Sequence, residues 1–221
     1  MSFQVRCHDR HCGVCCISIS LPYETIEAVF AEMGRNETLA RLMLIAYAGY
    51  RPSEIKRTQP EDVLPFLDVG EPFAVKRSGK GGNPVLIPLA PKAVEAWRLL
   101  VSSLDILDAS SEQWANKMRF STSSMNHNWQ DAMQRAGLKA AAEASERGSN
   151  AETVRAVALR FHPVHAYRLK HSFAVRLLMA CDNTEIVQKA LGHTSQKTTS
   201  IYTTMAMDPR LAGAIRKAFG G

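Results

Sequence analysis

Apolar residues recur at helical spacing along most of the chain, and glycine or proline positions separate the runs. The first predicted helix begins at Pro22 and is broken at Gly34. The second, Leu39 to Tyr50, is apolar almost throughout, which predicts a buried helix that ends at Gly49. The pattern therefore predicts a chain that is built mainly of α-helices.

The pattern changes after Asp68, where short extended segments replace the helices. Phe73–Val75 and Val85–Leu89 are predicted strands. The glycine-rich segment Ser78–Asn83 between them predicts a hairpin that carries Lys80 at its tip. The predicted fold class is therefore α+β, mainly α-helical, with a small antiparallel β-sheet.

Helical spacing then returns and continues to the C-terminus. One helix is predicted to begin at Pro91, and another, with Trp129 on its apolar face, to stop at Gly137. The alanine-rich stretch Ala140 to Leu159 is split at Gly148 and is interpreted as a surface insertion.

Charge and targeting signals narrow the class of protein. The chain has 27 lysines and arginines against 21 acidic residues, a formal net charge of +6, which suits a polyanionic partner but also fits an ordinary basic protein. No apolar run is long enough to span a bilayer, and charged residues interrupt the N-terminus too early for a signal peptide. We expect no membrane association and a cytoplasmic location.

Four of the five cysteines crowd into the segment Cys7–Cys16, together with His8 and His11. An odd cysteine count in such a chain argues against a disulfide framework. Thiolates and imidazoles could ligate zinc, but no second spaced ligand pair follows, so an incidental terminus is the favoured interpretation. We predict no metal and no cofactor.

An arginine follows the predicted buried helix directly, in the segment Ala48–Ile55. Arg51 is flanked by Gly49 and Pro52, a turn that can hold a guanidinium rigidly where its forked donors fit two phosphate oxygens. Glu54 could brace this turn. Taken alone, a solvated arginine would be the favoured interpretation of Arg51. Lys80 could protonate a departing oxygen, but alone it also fits a polar turn residue.

The segment from Tyr167 to Tyr202 carries the strongest signal. It contains Lys170, a predicted helix over Thr184 to Leu191, then His193 and, nine positions later, Tyr202. A phenol needs nearby cations to act as a nucleophile, because its ordinary pKa is near 10. The alternative is a core tyrosine beside a capping histidine.

These residues, in this order, resemble the tyrosine recombinase or phage integrase family over about Leu21 to Thr204. The resemblance implies a catalytic-domain fold of that family with a hairpin that carries the catalytic lysine. It implies catalytic roles for the following residues: Arg51, Lys80, Tyr167, Lys170, His193 and Tyr202. Tyr202 would be the nucleophile.

The sequence departs from the family pattern at one motif. The family carries H-x-x-R before the helix near Ser172, and an ungapped match places Tyr167 and Lys170 at those positions. A literal H-x-x-R, His165 to Arg168, lies two residues earlier and would need an insertion, so Tyr167 and Lys170 are favoured. A lysine at this position keeps the positive charge of arginine but cannot donate two parallel hydrogen bonds to a phosphate.

The resemblance implies a site-specific recombinase that breaks and rejoins double-stranded DNA through a 3′-phosphotyrosyl intermediate, without cofactors. A DNA-binding protein of the same fold with weakened catalysis and a relaxing enzyme like the type IB topoisomerases are the alternatives.

The domain prediction is an N-terminal extension over 1–20 and a catalytic domain over 21–221, with a tail helix at about 208–219. The apolar stripe of this tail helix comprises Leu211, Ile215 and Phe219. It predicts either docking on a neighbouring copy, which gives a homo-oligomer on DNA, or packing on its own domain.

Only about twenty residues precede the catalytic region, so the family's N-terminal clamping domain is expected to be missing. Three explanations stay open for this expected absence: the chain is a truncated piece, a natural minimal form or a degraded gene product.

Overall fold

A computed structural model describes residues 20–77, 84–181, 183–191 and 209–219. The helices and strands within these ranges are α1 (Tyr23–Ala31), α2 (Glu37–Ala48), α3 (Pro52–Ile55), β1 (Phe73–Lys76), β2 (Val85–Pro88), α4 (Pro91–Leu104), α5 (Ser111–Lys117), α6 (Thr122–Glu146), α7 (Ala151–Leu159), α8 (Arg168–Cys181), α9 (Thr184–Leu191) and α10 (Pro209–Phe219). Two short 3-10 turns, Pro60–Asp62 and Leu64–Phe66, precede the strands. The predicted fold class, mainly α-helical with a small antiparallel sheet, is confirmed.

Helix α2 is the central element of the core. Its start is fixed by Asn36, whose side chain accepts hydrogen bonds from the backbone N–H groups of Thr38 and Leu39. The helix packs against α4 on one side and α8 on another, and its residues from Leu39 to Ala48 are all buried. Burial of this apolar surface, at about 25 cal/mol per Å², fixes α2 in place and with it the turn that follows at Gly49.

The two strands form an antiparallel pair in which Phe73 faces Pro88 and Lys76 faces Val85. Alternate residues of β1 point inward, so that Ala74 and Lys76 are both buried. Both predicted strands are confirmed. The residues that join them, 78–83, include Lys80 and lie outside the described residues.

The prediction that a helix stops at Gly137 was wrong. Helix α6 continues through this glycine to Glu146. A Cβ atom at position 137 would lie 3.0 Å from the Cβ atom of Phe161, so the missing side chain lets the segment after α7 approach the helix. The predicted break at Gly148 is confirmed, because its φ of 77° separates α6 from α7.

The C-terminal helices pack on α8. The apolar stripe of α10 is buried, and Phe219 stacks on Phe173 with ring centroids 5.3 Å apart and also contacts the ring of Tyr47. Of the two placements predicted for the tail helix, this structure has the one in which it packs on its own chain.

Candidate active site

The turn between α2 and α3 requires glycine at position 49. Gly49 has a left-handed φ of 63°, which other residues rarely adopt. A Cβ atom there would lie 2.7 Å from two ring carbons of Phe173 and 3.4 Å from Leu191. The chain can therefore turn sharply at the end of α2 and present Arg51 immediately afterwards.

Glu54 holds the Arg51 side chain in one position. The backbone N–H of Arg51 donates to Glu54 Oε2 at 2.7 Å, and its guanidinium Nη1 donates to Oε1 at 2.6 Å. The carboxylate is buried, whereas 30% of the Arg51 side chain remains exposed. The prediction that Glu54 braces this turn is consistent with both hydrogen bonds, and the exposed part of the guanidinium is open to a ligand.

Two buried lysines contact the same turn from the interior of the fold. The ammonium groups of Lys76 and Lys170 both donate to the carbonyl oxygen of Gly49, at 2.8 and 2.9 Å. They lie 3.3 and 4.0 Å from Glu54 Oε2. We call Arg51, Glu54, Lys76 and Lys170 the turn cluster; it gathers three cations around one carboxylate.

The turn cluster also fixes the end of α9. Lys76 donates to the carbonyl oxygen of Ala190 at 3.2 Å, and Arg51 Nη1 donates to that of Leu191 at 3.3 Å. The segment that leads to His193 is therefore attached to the same turn that carries Arg51.

Burial and mutual repulsion shift the ionisation of the cluster. Burial lowers the pKa of Lys170 to about 7, and repulsion from Lys76 adds to this effect. Burial likewise lowers the pKa of Lys76 to about 8, although Glu54 partly opposes the change. Burial alone would raise the pKa of Glu54, but the charges of Lys76 and Lys170 and the hydrogen bonds from Arg51 lower it below its ordinary value. Glu54 thus remains the anionic centre of the cluster.

Tyr167 lies on the exposed side of the turn cluster. Burial alone would lower the pKa of Arg51, but Glu54 and, to a smaller extent, the Tyr167 hydroxyl raise it above its ordinary value. The Tyr167 ring is 41% exposed and meets His171 edge-on, with centroids 5.3 Å apart. The structure therefore brings Arg51, Lys170 and Tyr167 together, as the motif predicted.

The literal H-x-x-R pair is placed differently. His165 is exposed, and its Nδ1 accepts a hydrogen bond from the backbone N–H of Tyr167. Arg168 is half-buried at the start of α8, whereas Lys170 reaches Gly49 in the interior. This geometry favours Lys170 as the cation at the Arg51 turn, and its catalytic role stays a prediction.

Three of the predicted site residues lie outside the described residues: Lys80, His193 and Tyr202. The Cys7–Cys16 segment lies outside them as well. Their predicted roles stay predictions.

Lys76 belongs to the site although no motif pointed to it. The signal that could have found it is the period of two in β1, which places residue 76 on the same face as the buried Ala74. A lysine on the inward face of a short strand needs buried partners, and Gly49, Ala190 and Glu54 supply them.

Two features are absent from the described residues: a metal-binding cluster and a membrane-spanning helix. No group of three or more histidine, cysteine, aspartate or glutamate residues there is placed to hold a metal ion. None of the helices described is both long and apolar enough to cross a membrane.

The arrangement suits a phosphate ligand. A partly exposed guanidinium that is held by Glu54 offers forked donors, and the ammonium groups of two buried lysines lie against the same carboxylate. Because Glu54 and the backbone carbonyls hold these groups in place before any ligand arrives, little reorganisation is needed when negative charge develops on a phosphate.

Comparison with known proteins agrees with this chemistry. The profile of the phage integrase family matches residues 22–208, so the chain belongs to that family. A tyrosine recombinase of Thermosipho africanus is 28% identical over 189 residues, which cover 85% of this chain and 56% of the relative. The tyrosine recombinase XerC of Haemophilus ducreyi is 32% identical over 170 residues, which cover 75% of this chain and 46% of the relative. The chain thus spans about half the length of these relatives.

Solved structures support the fold. The crystal structure of XerA recombinase matches with a TM-score of 0.56 at 19% identity, over 89% of this chain and 63% of that one. The integrase from mycobacterium phage Brujita matches with a TM-score of 0.55 at 21% identity, over 90% of this chain and 58% of that one. The predicted resemblance and fold are confirmed.

Proposed function

We propose that this chain is the catalytic domain of a site-specific DNA recombinase, which breaks and rejoins double-stranded DNA through a covalent tyrosine intermediate. The observation that carries the proposal is the turn cluster, which holds a partly exposed Arg51 over two buried lysines. Membership of the phage integrase family and the names of its relatives, tyrosine recombinases, support the same activity.

The reaction is a phosphoryl transfer to a phenol. Tyr202 loses its phenol proton to the solvent, its oxygen attacks a phosphodiester phosphorus, and the bond from phosphorus to the 5′ oxygen breaks. The product is a 3′-phosphotyrosyl link and a 5′ hydroxyl, and Lys80 supplies the proton that the leaving oxygen takes up. Because the new bond is again a phosphodiester, a 5′ hydroxyl of a partner strand reverses the step and joins a new strand without a cofactor.

The turn cluster stabilises the charge that builds up on the phosphate. The exposed part of Arg51 contacts the non-bridging oxygens, and His193 and Tyr167 assist. Lys170 is only 3% exposed and donates to Gly49, so in its protonated form it acts through its charge rather than by direct contact, as does Lys76. Fixed cations in a site that excludes water are worth about 100- to 1000-fold in rate each.

The domain assignment is part of the same proposal. Residues 21–221 form the catalytic domain, with a tail helix at about 208–219, and residues 1–20 are an extension. Homo-oligomerisation on DNA is part of the proposal: the stripe of α10 that packs on its own chain could dock at the equivalent place on a second copy. A cytoplasmic location belongs to the same proposal.

Trapping on a nicked DNA substrate tests the proposal. If the nick lies next to the cleavage site, the short cleaved fragment diffuses away and cannot be rejoined, so the covalent complex accumulates and migrates slowly on a denaturing gel. We expect such a complex with the unmodified chain and with Tyr23→Phe, a control at a tyrosine outside the turn cluster, but none with Tyr202→Phe.

Two other outcomes would point elsewhere. DNA binding without any covalent complex would indicate a binding protein of the same fold that has lost catalysis. Relaxation of a supercoiled plasmid by a monomer, without pairing of two sites, would indicate a relaxing enzyme instead.

A further inference from the structure

A second group of cations comes from α2, which carries Arg41, and from the C-terminal end of α3, where Lys56 lies. The guanidinium carbon of Arg41 lies 4.4 Å from the ring centroid of Phe120, and the ammonium nitrogen of Lys56 lies 4.7 Å from the same centroid. We call Arg41, Lys56 and Phe120 the ring cluster. Two cations share one aromatic ring there, although like charges repel each other.

Arg41 is the unusual member of the ring cluster. It is only 5% exposed, and its Nε atom is buried with no hydrogen-bond partner among the described residues. Burial lowers its pKa, and Glu37 opposes this effect only through its charge, since no ion pair between the two occurs in the described part of the chain. A buried guanidinium without a bonded counter-ion is costly unless an anion binds there.

The surroundings of Phe120 suit such an anion. Helix α6 begins directly after this ring, with Ser121 as its N-cap, so the positive end of a 25-residue helix lies beside the ring cluster. Lys56 and Phe120 are only half-buried, and the neighbouring side chains Arg57 and Arg119 are exposed. A phosphate there would meet a guanidinium, an ammonium and a helix N-terminus at once.

The position of the ring cluster relative to Arg51 indicates which phosphate would bind. Lys56 follows Arg51 by five residues, and Arg41 precedes it by ten along α2. Ten helical residues span about 15 Å, and phosphates of one DNA strand are spaced about 3.4 Å apart along the duplex axis. We therefore expect a phosphate at the ring cluster to lie a few nucleotides from one held at Arg51.

We propose that the ring cluster is a second phosphate-binding site, which holds a backbone phosphate of the DNA duplex a few nucleotides from the cleaved bond. The inference rests on the proposed function, because it takes the DNA to be bound at Arg51. It assigns a binding role to Arg41 and Lys56 and none in the chemical step.

The salt dependence of DNA binding measures such a contact. Each neutralised phosphate adds about 0.9 to the slope of log affinity against log salt concentration. Arg41→Met keeps the apolar stem over Phe120 but removes the charge, so the slope should fall by about one and binding should weaken about 10-fold at low salt. Lys56→Met, at a half-buried position, provides a second variant in case Arg41→Met does not fold. Arg147→Met, an exposed arginine next to Gly148, serves as the control and should leave the slope unchanged.

Phosphate ethylation would locate the contact on the DNA. We expect that ethylation of one phosphate, a few nucleotides from the cleavage site, weakens binding of the unmodified chain but no longer weakens that of Arg41→Met. An unchanged slope and an unchanged ethylation pattern in both variants would overturn the proposal, while covalent trapping by the unmodified chain would still support the proposed function. Binding of inorganic phosphate that Arg41→Met abolishes, with no change in the DNA slope, would assign the site to a free anion and also overturn it. Absence of DNA binding by the unmodified chain would reject both proposals.

Discussion

The turn cluster and the ring cluster are both built from cations near α2, but they differ in how their charge is balanced. In the turn cluster, Glu54 accepts hydrogen bonds from Arg51 and lies 3.3 Å from the ammonium of Lys76. In the ring cluster, Arg41 and Lys56 face an aromatic ring, and the buried Nε atom of Arg41 has no partner among the described residues.

This difference separates two uses of positive charge. A cation that is held by an internal carboxylate is fixed before the ligand arrives, which favours stabilisation of a transition state. A cation without an internal counter-ion gains its partner only when the ligand binds, which favours affinity. The turn cluster is therefore expected to control the rate of cleavage, and the ring cluster the strength of DNA binding.

Removal of the Arg51 guanidinium should produce the largest effect. Arg51→Ala is expected to slow single-turnover cleavage of the nicked substrate about 100- to 1000-fold, because the developing phosphate charge loses its exposed cation. The rate is measured at enzyme concentrations that saturate the DNA, so that weaker binding does not contribute. Arg147→Met is the control, and a rate for Arg51→Ala within threefold of that control would contradict the assignment.

Loss of the internal counter-ion should destabilise the turn cluster more than the ring cluster. Glu54→Gln leaves two buried lysines without a carboxylate and should lower the free energy of unfolding by about 3 kcal/mol. Glu37→Gln removes the carboxylate whose charge acts on Arg41, but it breaks no ion pair. It should lower the free energy of unfolding by less than about 1 kcal/mol. Urea denaturation of both variants measures the difference. Equal losses would show that Glu54 does not balance the buried lysines.

The backbone of the Gly49 turn offers a matched pair of substitutions. Gly49→Ala combines a left-handed φ with a contact to Phe173 and should lower the free energy of unfolding by about 2 kcal/mol or more. Gly148→Ala places the same methyl group at a φ of 77° in open space, so only the backbone strain remains, about 1 kcal/mol. Thermal denaturation compares them, and a smaller loss for Gly49→Ala than for Gly148→Ala would mean that the turn can rearrange.

The pH dependence of stability tests the shifted ionisation of the turn cluster. The pKa of Lys170 is about 7 in the folded chain, below its ordinary value of 10.5, so the unfolded chain binds more protons between these values. The free energy of unfolding should therefore rise as pH increases from about 7 towards 10, and rise less in Lys170→Met. Arg41→Met should keep the full rise, because a guanidinium stays charged in this range. Parallel curves for Lys170→Met and the unmodified chain would indicate that Lys170 is not shifted.

Residues whose local sequence already constrains the backbone could be predicted. Gly49 and Pro52 flank Arg51, which indicated a turn able to hold an arginine rigidly after a buried helix, and the family resemblance then favoured this over a solvated arginine. The two strands were predicted because short apolar runs flank a glycine-rich segment. The position of Lys170 beside Arg51 followed from the ungapped motif.

Residues whose role depends on distant contacts could not be predicted in the same way. Lys76 lies 27 residues from Gly49 and 114 from Ala190 in sequence, and only the folded chain brings them within hydrogen-bond distance. Gly137 was taken for a helix end because glycine often is one, whereas here it makes room for Phe161. Arg41 stands out only as a charge within an apolar helix, and the ring that it contacts is 79 residues away.

Identification of the amino acid that becomes linked to DNA tests the central claim most directly. The covalent complex from the nicked substrate is digested with trypsin, and the peptide that carries the nucleotide is sequenced by mass spectrometry. The account predicts the peptide that spans residues 198–210, in which Tyr202 is the only tyrosine. Linkage to the peptide of residues 161–168, which contains Tyr167, or to any serine, would contradict it.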